Sequence, residues 1–403
     1  MNTSSIYIHV PFCVKKCGYC VFHSLPASNN SELISAYLDK LKYQIKINNH
    51  LVSHIESIYI GGGTPSSLSL HQLENLFNLI LENYHISDNA EISIECNPES
   101  ISDDKIKLIS NFANRISFGV QSFNQSHRNI LGRVADNHTI LEAIESASKN
   151  NINNISIDLI YGIPSQSLND WKAELNQSLQ LPIKHISTYA LTVEEGSELY
   201  SIYNTELNNF DEIVTDMYTI TEDLLSANNI HRYEISNYSK PRFECKHNID
   251  IWYGGKYLGL GPTASSFDGV NRWTQPTSNQ WLNSEKPEFD IISTNQRILE
   301  VFMMGLRTTL GWNIMNHKNA EKVILKSPYT SNIPQQIVLN NIQTISDSQL
   351  CLSIDMWNNI LERLKVTISY DLIQIKRTSN GIASISATEK GLLFWNEIAM
   401  ALI

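Results

Sequence analysis

"IYIHVPFCVKKCGYC", residues 6–20, joins a short apolar run to three cysteines, Cys13, Cys17 and Cys20. Its first five residues, rich in β-branched side chains, read as a strand. The cysteines follow almost at once. Three thiols within eight positions are too dense a set for chance, and one ligand short of a closed four-ligand metal site. The remaining cysteines, Cys96, Cys245 and Cys351, lie far apart, so the six form no disulfide framework and fit a reducing compartment. Cys96 and Cys351 read as small buried hydrophobes.

The strand of the first segment recurs along the chain. "IESIYIGG" (55–62), "EISIEC" (91–96), "RISFGV" (115–120), "ISIDLIYG" (155–162) and "HISTYAL" (185–191) have the same texture. Between them lie amphipathic stretches such as "HQLENLFNLILENY" (71–84) and "NHTILEAIESASKN" (137–150), with apolar residues three and four apart. Strands alternating with helices predict βαβ units around a parallel sheet. Six units by about residue 230 suit a partial (β/α)6 TIM-like barrel, whose chemistry would sit in the loops after the strands. The unusual short stretches fall in those loops: the cysteines after strand one, "GGGTPSS" (61–67), "ECNPES" (95–100), "GVQSF" (119–123) and "DLIYGIP" (158–164).

Beyond residue 240 the texture becomes Gly- and aromatic-rich, and from about 295 a smaller unit begins. The expected division is a core barrel at 1–240, a barrel extension at 241–294 and a small α+β domain at 295–403. The last unit reads as a helix at 355–364, a hairpin turning at Asn380-Gly381, and a final helix from Thr388. That order resembles a winged helix. DNA binding is discounted, because residues 346–403 carry five Lys/Arg against six Asp/Glu.

A formal net charge of −11 without a basic run argues against a nucleic-acid surface or a polybasic membrane patch. No stretch approaches transmembrane length, and "MNTSSIYIHVPF" lacks the basic start and apolar core of a signal peptide. A cytoplasmic protein is the expectation.

Four readings of the cysteine trio compete. Structural zinc would need a fourth ligand, for which His23 is the candidate. Covalent heme attachment fails, because Val21 follows Cys20 where a histidine is required. "CGYC" (17–20) as a redox dithiol leaves Cys13 without a role. An iron–sulfur cluster with one iron free of protein ligands uses all three, and the spacing favours it.

C-x3-C-x2-C after a first barrel strand resembles the signature of radical S-adenosylmethionine (SAM) proteins. "YIHVPFC", "GGGTPSSL", "SIECNPES", "FGVQSFNQSHRNILGR", "IDLIYGIPSQS" and "YEISNYSKPRFECKHN" resemble successive blocks of the oxygen-independent coproporphyrinogen III oxidase group, from residue 6 to about 310. "GLRTTLGW" (305–312) and "ATEKGLLFWNEI" (387–398) resemble its C-terminal domain more loosely. The resemblance implies a [4Fe–4S] cluster on Cys13, Cys17 and Cys20, with SAM chelating the open iron. It also implies that one electron from the cluster cleaves the sulfonium to a 5′-deoxyadenosyl radical. It places Tyr7 and Tyr19 beside the cluster loop, Gly62, Gly63 and Thr64 against the cofactor, and Glu95 on the ribose hydroxyls. Gln121, Arg133 and Asp158 match the remaining polar cofactor contacts, with Ala190 against the adenosine. Bland alternatives exist for some: Arg133 as a surface helix arginine, Asp158 as a cap.

Within this group, the coproporphyrinogen oxidases carry a fourth cysteine two residues after the third, where this chain has Phe22. They also have a longer segment ahead of the cluster. Both departures point to the HemW-type heme-chaperone branch. That branch implies binding of heme, an electron donor, and delivery to acceptor hemoproteins of the respiratory, membrane-associated kind. Its H-N-x-x-x-W motif reads "HNIDIW" here, making His247 the heme candidate and Cys245 a weaker one, with Ile251 where an aromatic residue is usual. In "GPTASS" (261–266), Thr263 and Ser265 replace the glycine and histidine common in the group. The alternatives are coproporphyrinogen III oxidation and radical chemistry on another tetrapyrrole.

Overall fold

The computed structural model describes residues 3–27, 31–203, 211–316, 322–329, 344–346, 349–378 and 381–402. Six strands form its centre: β1 (Thr3–Val10), β2 (Val52–Gly62), β3 (Ile86–Cys96), β4 (Arg115–Gln121), β5 (Asn154–Tyr161) and β6 (His185–Ala190). Each pairs in parallel with the next. The connecting helices include α1 (Ser31–Asn48), α2 (Leu70–Asn83), α3 (Asp103–Ser110), α4 (Gln125–Leu131), α5 (Asn137–Lys149) and α6 (Leu168–Ser178). Side-chain caps set several helix starts. Ser69 and Gln72 form a reciprocal capping box before α2, and Asp136 accepts from the Thr139 amide before α5.

The two faces of this sheet differ in chemistry. Ile6, Ile8, Ile58, Ile60, Ile94, Ile116, Phe118, Ile155, Ile157 and Ile186 share one buried core with helix residues such as Tyr37, Leu73, Ile140 and Trp171. The alternate residues on the inner face are polar: Ser5, Tyr7, Tyr59, Ser93, Glu95, Arg115, Ser117, Ser156, Asp158, His185 and Ser187. Period-two alternation therefore separates a helix-covered apolar face from a polar interior.

The six strands do not close on themselves. Beyond β6 the sheet continues with antiparallel β7 (His231–Arg232) and β8 (Asn237–Ser239), and β9 (Tyr257–Leu260) runs parallel to β1. Three antiparallel strands, Ser265–Phe267, Arg272–Thr274 and Glu288–Asp290, extend it to twelve. This is a partial barrel, as expected, with a longer antiparallel skirt.

A separate six-stranded antiparallel sheet forms the C-terminal unit. The expected helix (Ile354–Arg363) and hairpin (Ile373–Thr378 with Gly381–Ala387) are present, and Thr388 caps the helix that follows. Asn380, half of the expected turn, lies outside the described residues. The hairpin is the edge of a sheet that also takes in Trp312–Asn316, Lys322–Lys326, Thr344–Ser346 and Gln349–Ser353. Phe302, Trp312, Leu352, Ile360 and Ile385 form its core, which also holds Tyr233, Trp252 and Tyr253 from the barrel's flank. Arg307 Nη2 meets the buried Glu234 at 2.7 Å and ties the two together.

Candidate functional site

The cysteine loop lies against the ends of β1 and β2. Phe12 and Cys13 bridge to Leu25 and Pro26. The amides of Gly63 and Thr64 donate to the carbonyls of Val10 and Phe12 at 2.9 and 2.7 Å. Gly63 could not carry a side chain, since a Cβ there would sit 2.8 Å from the Phe12 carbonyl oxygen. Farther along, the Gly18 amide donates to the Leu131 carbonyl and the Leu199 amide to Gly18. Tyr19 packs beside Leu131, Ile160, Ile163 and Leu199. Segments that follow β2, β4, β5 and β6 thus pack on the cysteine loop and hold it in place.

Two of the sulfurs receive side-chain hydrogen bonds, and the Phe22 amide serves Cys20. Thr64 Oγ1 donates to Cys13 Sγ at 3.5 Å, and Arg133 Nη1 donates to Cys17 Sγ at 3.4 Å. Asn97 Nδ2 donates to Thr64 Oγ1 at 2.9 Å, which turns the threonine's own proton toward the sulfur. Burial pushes the Cys13 and Cys20 thiols up, and Cys17 nearby adds to the effect on both. Each of the three cysteines remains partly exposed.

This donor set fits an iron–sulfur cluster. Sulfurs that accept hydrogen bonds from a hydroxyl and a guanidinium are prepared to carry negative charge. The zinc alternative does not fit. His23 Nε2 is taken up by Ser278, at 2.7 Å to Oγ and 3.1 Å to the amide. Thiolates around a single zinc would crowd to about 3.8 Å, given Zn–S bonds of about 2.3 Å. A four-iron cluster, which gives each thiolate its own iron, sets them farther apart.

Arg133 is no surface arginine. It lies just past α4, is 7% exposed, and donates to the Gly119 carbonyl at 2.7 Å while meeting Glu99 at 3.4 Å. Gln121, at the end of β4, has a φ of 69°. Its amide nitrogen, Asn97 Oδ1 and Arg133 Nη2 crowd over Gly119, where an added Cβ would lie 3.0, 2.7 and 3.7 Å from them.

Glu95 ends β3 with both oxygens engaged, by Tyr59 Oη at 2.8 Å and the Gly62 amide at 3.1 Å. Burial and the Asp158 carboxylate push it up to about 7. Asp158, on β5, accepts from Ser117 at 3.1 Å, and burial raises it too. Ala190 is exposed at the end of β6, beside Tyr161 in the ladder. Tyr7 lies within the inner face rather than on the loop. It stacks on Tyr59 with centroids 6.3 Å apart and donates to His9 Nδ1, whose Nε2 in turn donates to the His23 carbonyl.

His247 adjoins this group, its ring stacked on Tyr59 with centroids 5.4 Å apart; it sits in the first turn of a short helix, Lys246–Trp252, and is only 2% exposed. Ser57 Oγ donates to Ser5 Oγ at 2.9 Å, so its 2.9 Å contact with His247 Nδ1 takes the proton from the ring. Nε2 is left with a free lone pair and is buried without a partner. Burial, helped by the Arg115 charge, holds the imidazole down to about 3. Glu91 fastens the start of this helix, accepting from the amides of Lys246 and His247 and from the Cys245 thiol. Cys245 is fully buried in that contact.

Sequence reasoning did not single out Tyr59, Glu91, Asn97, Glu99 or Arg115. Asn97 and Glu99 were within reach, since "ECNPES" (95–100) reads as a strand-end loop. The others needed the inner face itself.

The radical SAM superfamily model matches residues 7–177. Heme chaperone HemW of Lactococcus lactis subsp. lactis (strain IL1403) is 31% identical over 372 residues, covering 89% of this chain and 97% of the relative. Heme chaperone HemW of Bacillus subtilis (strain 168) is 34% identical over 332 residues, covering 79% and 86%. In fold, the chain matches the coproporphyrinogen III oxidase HemN of Escherichia coli with a TM-score of 0.75 at 22% identity, over 99% of this chain and 89% of that one.

Proposed function

The chain belongs to the HemW family of radical SAM proteins, and from that premise we propose that it is a heme chaperone: it binds heme, carries a [4Fe–4S] cluster with SAM, and passes heme to acceptor hemoproteins. The observation that carries this reading is the near full-length relation to HemW, 97% of one relative. Phe22, 67% exposed where the oxidases have a cysteine, supports it.

Cys13, Cys17 and Cys20 would hold the cluster, which when bound supplies an electron to the sulfonium of SAM. Thr64 and Arg133 steady two of the sulfurs. Glu95, held by Tyr59 and Gly62, presents a carboxylate for ribose hydroxyls. Gln121, Arg133 and Asp158 supply the other polar contacts to SAM, and Ala190 leaves room for its base. His247, its lone pair free, is the ligand we assign to heme iron. The work falls in the cytoplasm, with an electron donor; among the described residues no helix is long and apolar enough to cross a membrane.

The deciding experiment incubates anaerobically reconstituted protein with coproporphyrinogen III, SAM and a reductant, beside a heme titration of the same preparation. Saturable heme binding without protoporphyrinogen is expected. Formation of protoporphyrinogen would move the protein to the oxidases.

A further inference from the structure

Arg115 begins β4 and points into the polar interior. It is 3% exposed, and its Nε and Nη1 have no hydrogen-bond partner. A buried guanidinium with free N–H groups is expensive, and buried cations ordinarily meet a carboxylate or a run of carbonyls. Glu91 is the carboxylate whose charge acts most on Arg115. Glu95 and Asp158 also feel the arginine's charge, but they are engaged by Tyr59 and Gly62 and by Ser117. Glu91 is already occupied. Oε1 accepts from Ser93, from the Cys245 thiol and from the His247 amide, and Oε2 from the Lys246 amide. The helix start consumes the carboxylate that the arginine lacks.

Two more unpartnered atoms share this interior. Asn154 stands beside Arg115 in the ladder, and its Oδ1 has no partner. His247 Nε2 is the other. The neighbouring polar groups are satisfied: His185 bonds Ser156 and Tyr233, each at 2.8 Å, and Tyr233 Oη accepts the Cys245 amide. The unmet groups are of two kinds: free N–H donors on the cationic Arg115, which call for an anion, and acceptors at Asn154 Oδ1 and His247 Nε2, which an anion would not satisfy.

We propose that Arg115 receives a carboxylate of the carried molecule, so that the inner face selects a tetrapyrrole with free propionates over one whose acids are blocked. This rests on the heme-chaperone reading and deepens it, by naming the acidic edge of the ligand as the part that is recognised. Guanidinium and carboxylate match in geometry and charge, and the dry surroundings strengthen their attraction.

The test titrates the full-length reconstituted protein with hemin and with hemin dimethyl ester, in the same detergent, following the Soret band. Wild type is expected to bind the diacid about tenfold to a hundredfold more tightly, the range of a hydrogen bond between charged groups. Arg115→Gln is expected to bind both forms at the ester's affinity. Arg115→Lys, which keeps the charge, is expected to retain part of the preference and guards against a folding defect in the glutamine variant. Equal affinity of wild type for the two porphyrins overturns the proposal alone and leaves Arg115 a water-solvated structural group. An acid preference that persists in Arg115→Gln also overturns it. Wild type binding neither porphyrin overturns both this proposal and the heme reading beneath it.

Discussion

Arg133 Nη1 lies 3.4 Å from Cys17 Sγ across 116 positions of sequence. The same guanidinium holds the Gly119 carbonyl and the Glu99 carboxylate, so it links the cysteine loop to the ends of β3 and β4. A cation on a cluster thiolate stabilises the more negative, reduced state. Arg133→Gln should lower the midpoint potential of the reconstituted cluster, measured without SAM, by roughly 65–130 mV. That is a charged hydrogen bond's contribution expressed for one electron. An unchanged potential would mean that the contact is lost once the cluster is in place.

The Asn97–Thr64–Cys13 chain makes a smaller prediction of the same sign. Thr64 has one proton, and the Asn97 amide occupies its oxygen from the other side. Thr64→Val should lower the potential by roughly 20–60 mV, the range of a neutral hydrogen bond. Asn97→Ala should give part of that shift, because the hydroxyl is then free to rotate. A full shift in Thr64→Val with none in Asn97→Ala would remove Asn97 from the relay.

The barrel was legible because its strands are short, β-branched and regularly spaced, and because ligand-binding loops carry glycine, proline and cysteine. Less legible was what depends on contacts distant in sequence. Arg133 read equally well as a surface arginine until its buried partners at Gly119 and Glu99 were known. Glu91 looked like an ordinary strand residue, yet it fastens a helix start 155 positions away. The strands between 312 and 353 were missed because that stretch is rich in Asn, Ile and Ser and has no clear period. His247 stood out by motif resemblance alone. Its place in a helix, ring turned inward against Tyr59 at 5.4 Å, comes from packing that local sequence does not encode.

Gly62 has a φ of 110°, and a Cβ there would approach the His9 ring to 2.5 Å. His9 is hydrogen-bonded to Tyr7 and to the His23 carbonyl, so a displaced ring would disturb the inner face and the cysteine loop together. Gly62→Ala is expected to destabilise the protein by about 1–3 kcal/mol in denaturant unfolding. It should also lower the yield of cluster on reconstitution. A stable variant with a normal cluster would show that the loop has another way to settle.

Glu95 gives a pH dependence whose sign can be worked out. Burial and Asp158 raise it to about 7, above the value of a free carboxyl. Between the two values the folded chain holds a proton that the unfolded chain has lost, so this group lowers stability as pH rises through that window. Ribose hydroxyls donate to the ionised form. SAM affinity should therefore increase from pH 6 to pH 8 in isothermal titration. Glu95→Gln should flatten that profile and bind about tenfold to a hundredfold more weakly at pH 8. If the profile keeps its slope in the glutamine variant, another group is responsible.

His247 makes the opposite case, a histidine that does not titrate where histidines usually do. Its pKa is lowered to about 3 by burial and by Arg115. Its folded-state value lies below the unfolded one, so the group contributes stability above about pH 6.5, lost as pH falls toward 3. Within that range the imidazole stays neutral and Nε2 keeps its lone pair. Heme affinity carried by His247 should then be flat from pH 8 to pH 5, whereas an exposed histidine ligand would weaken below pH 6.5. His247→Ala should reduce affinity by an order of magnitude or more, a loss comparable to removing a strong polar contact from a buried site. Ser57→Ala should cost less, since it frees the tautomer without removing the ligand. The ring is 2% exposed, so heme reaches it only when the covering elements part. Association should therefore be slower than an open surface site allows, and stopped-flow absorbance would measure it. Unchanged affinity in His247→Ala, or a steep loss of binding near pH 6.5, would place the iron on another residue.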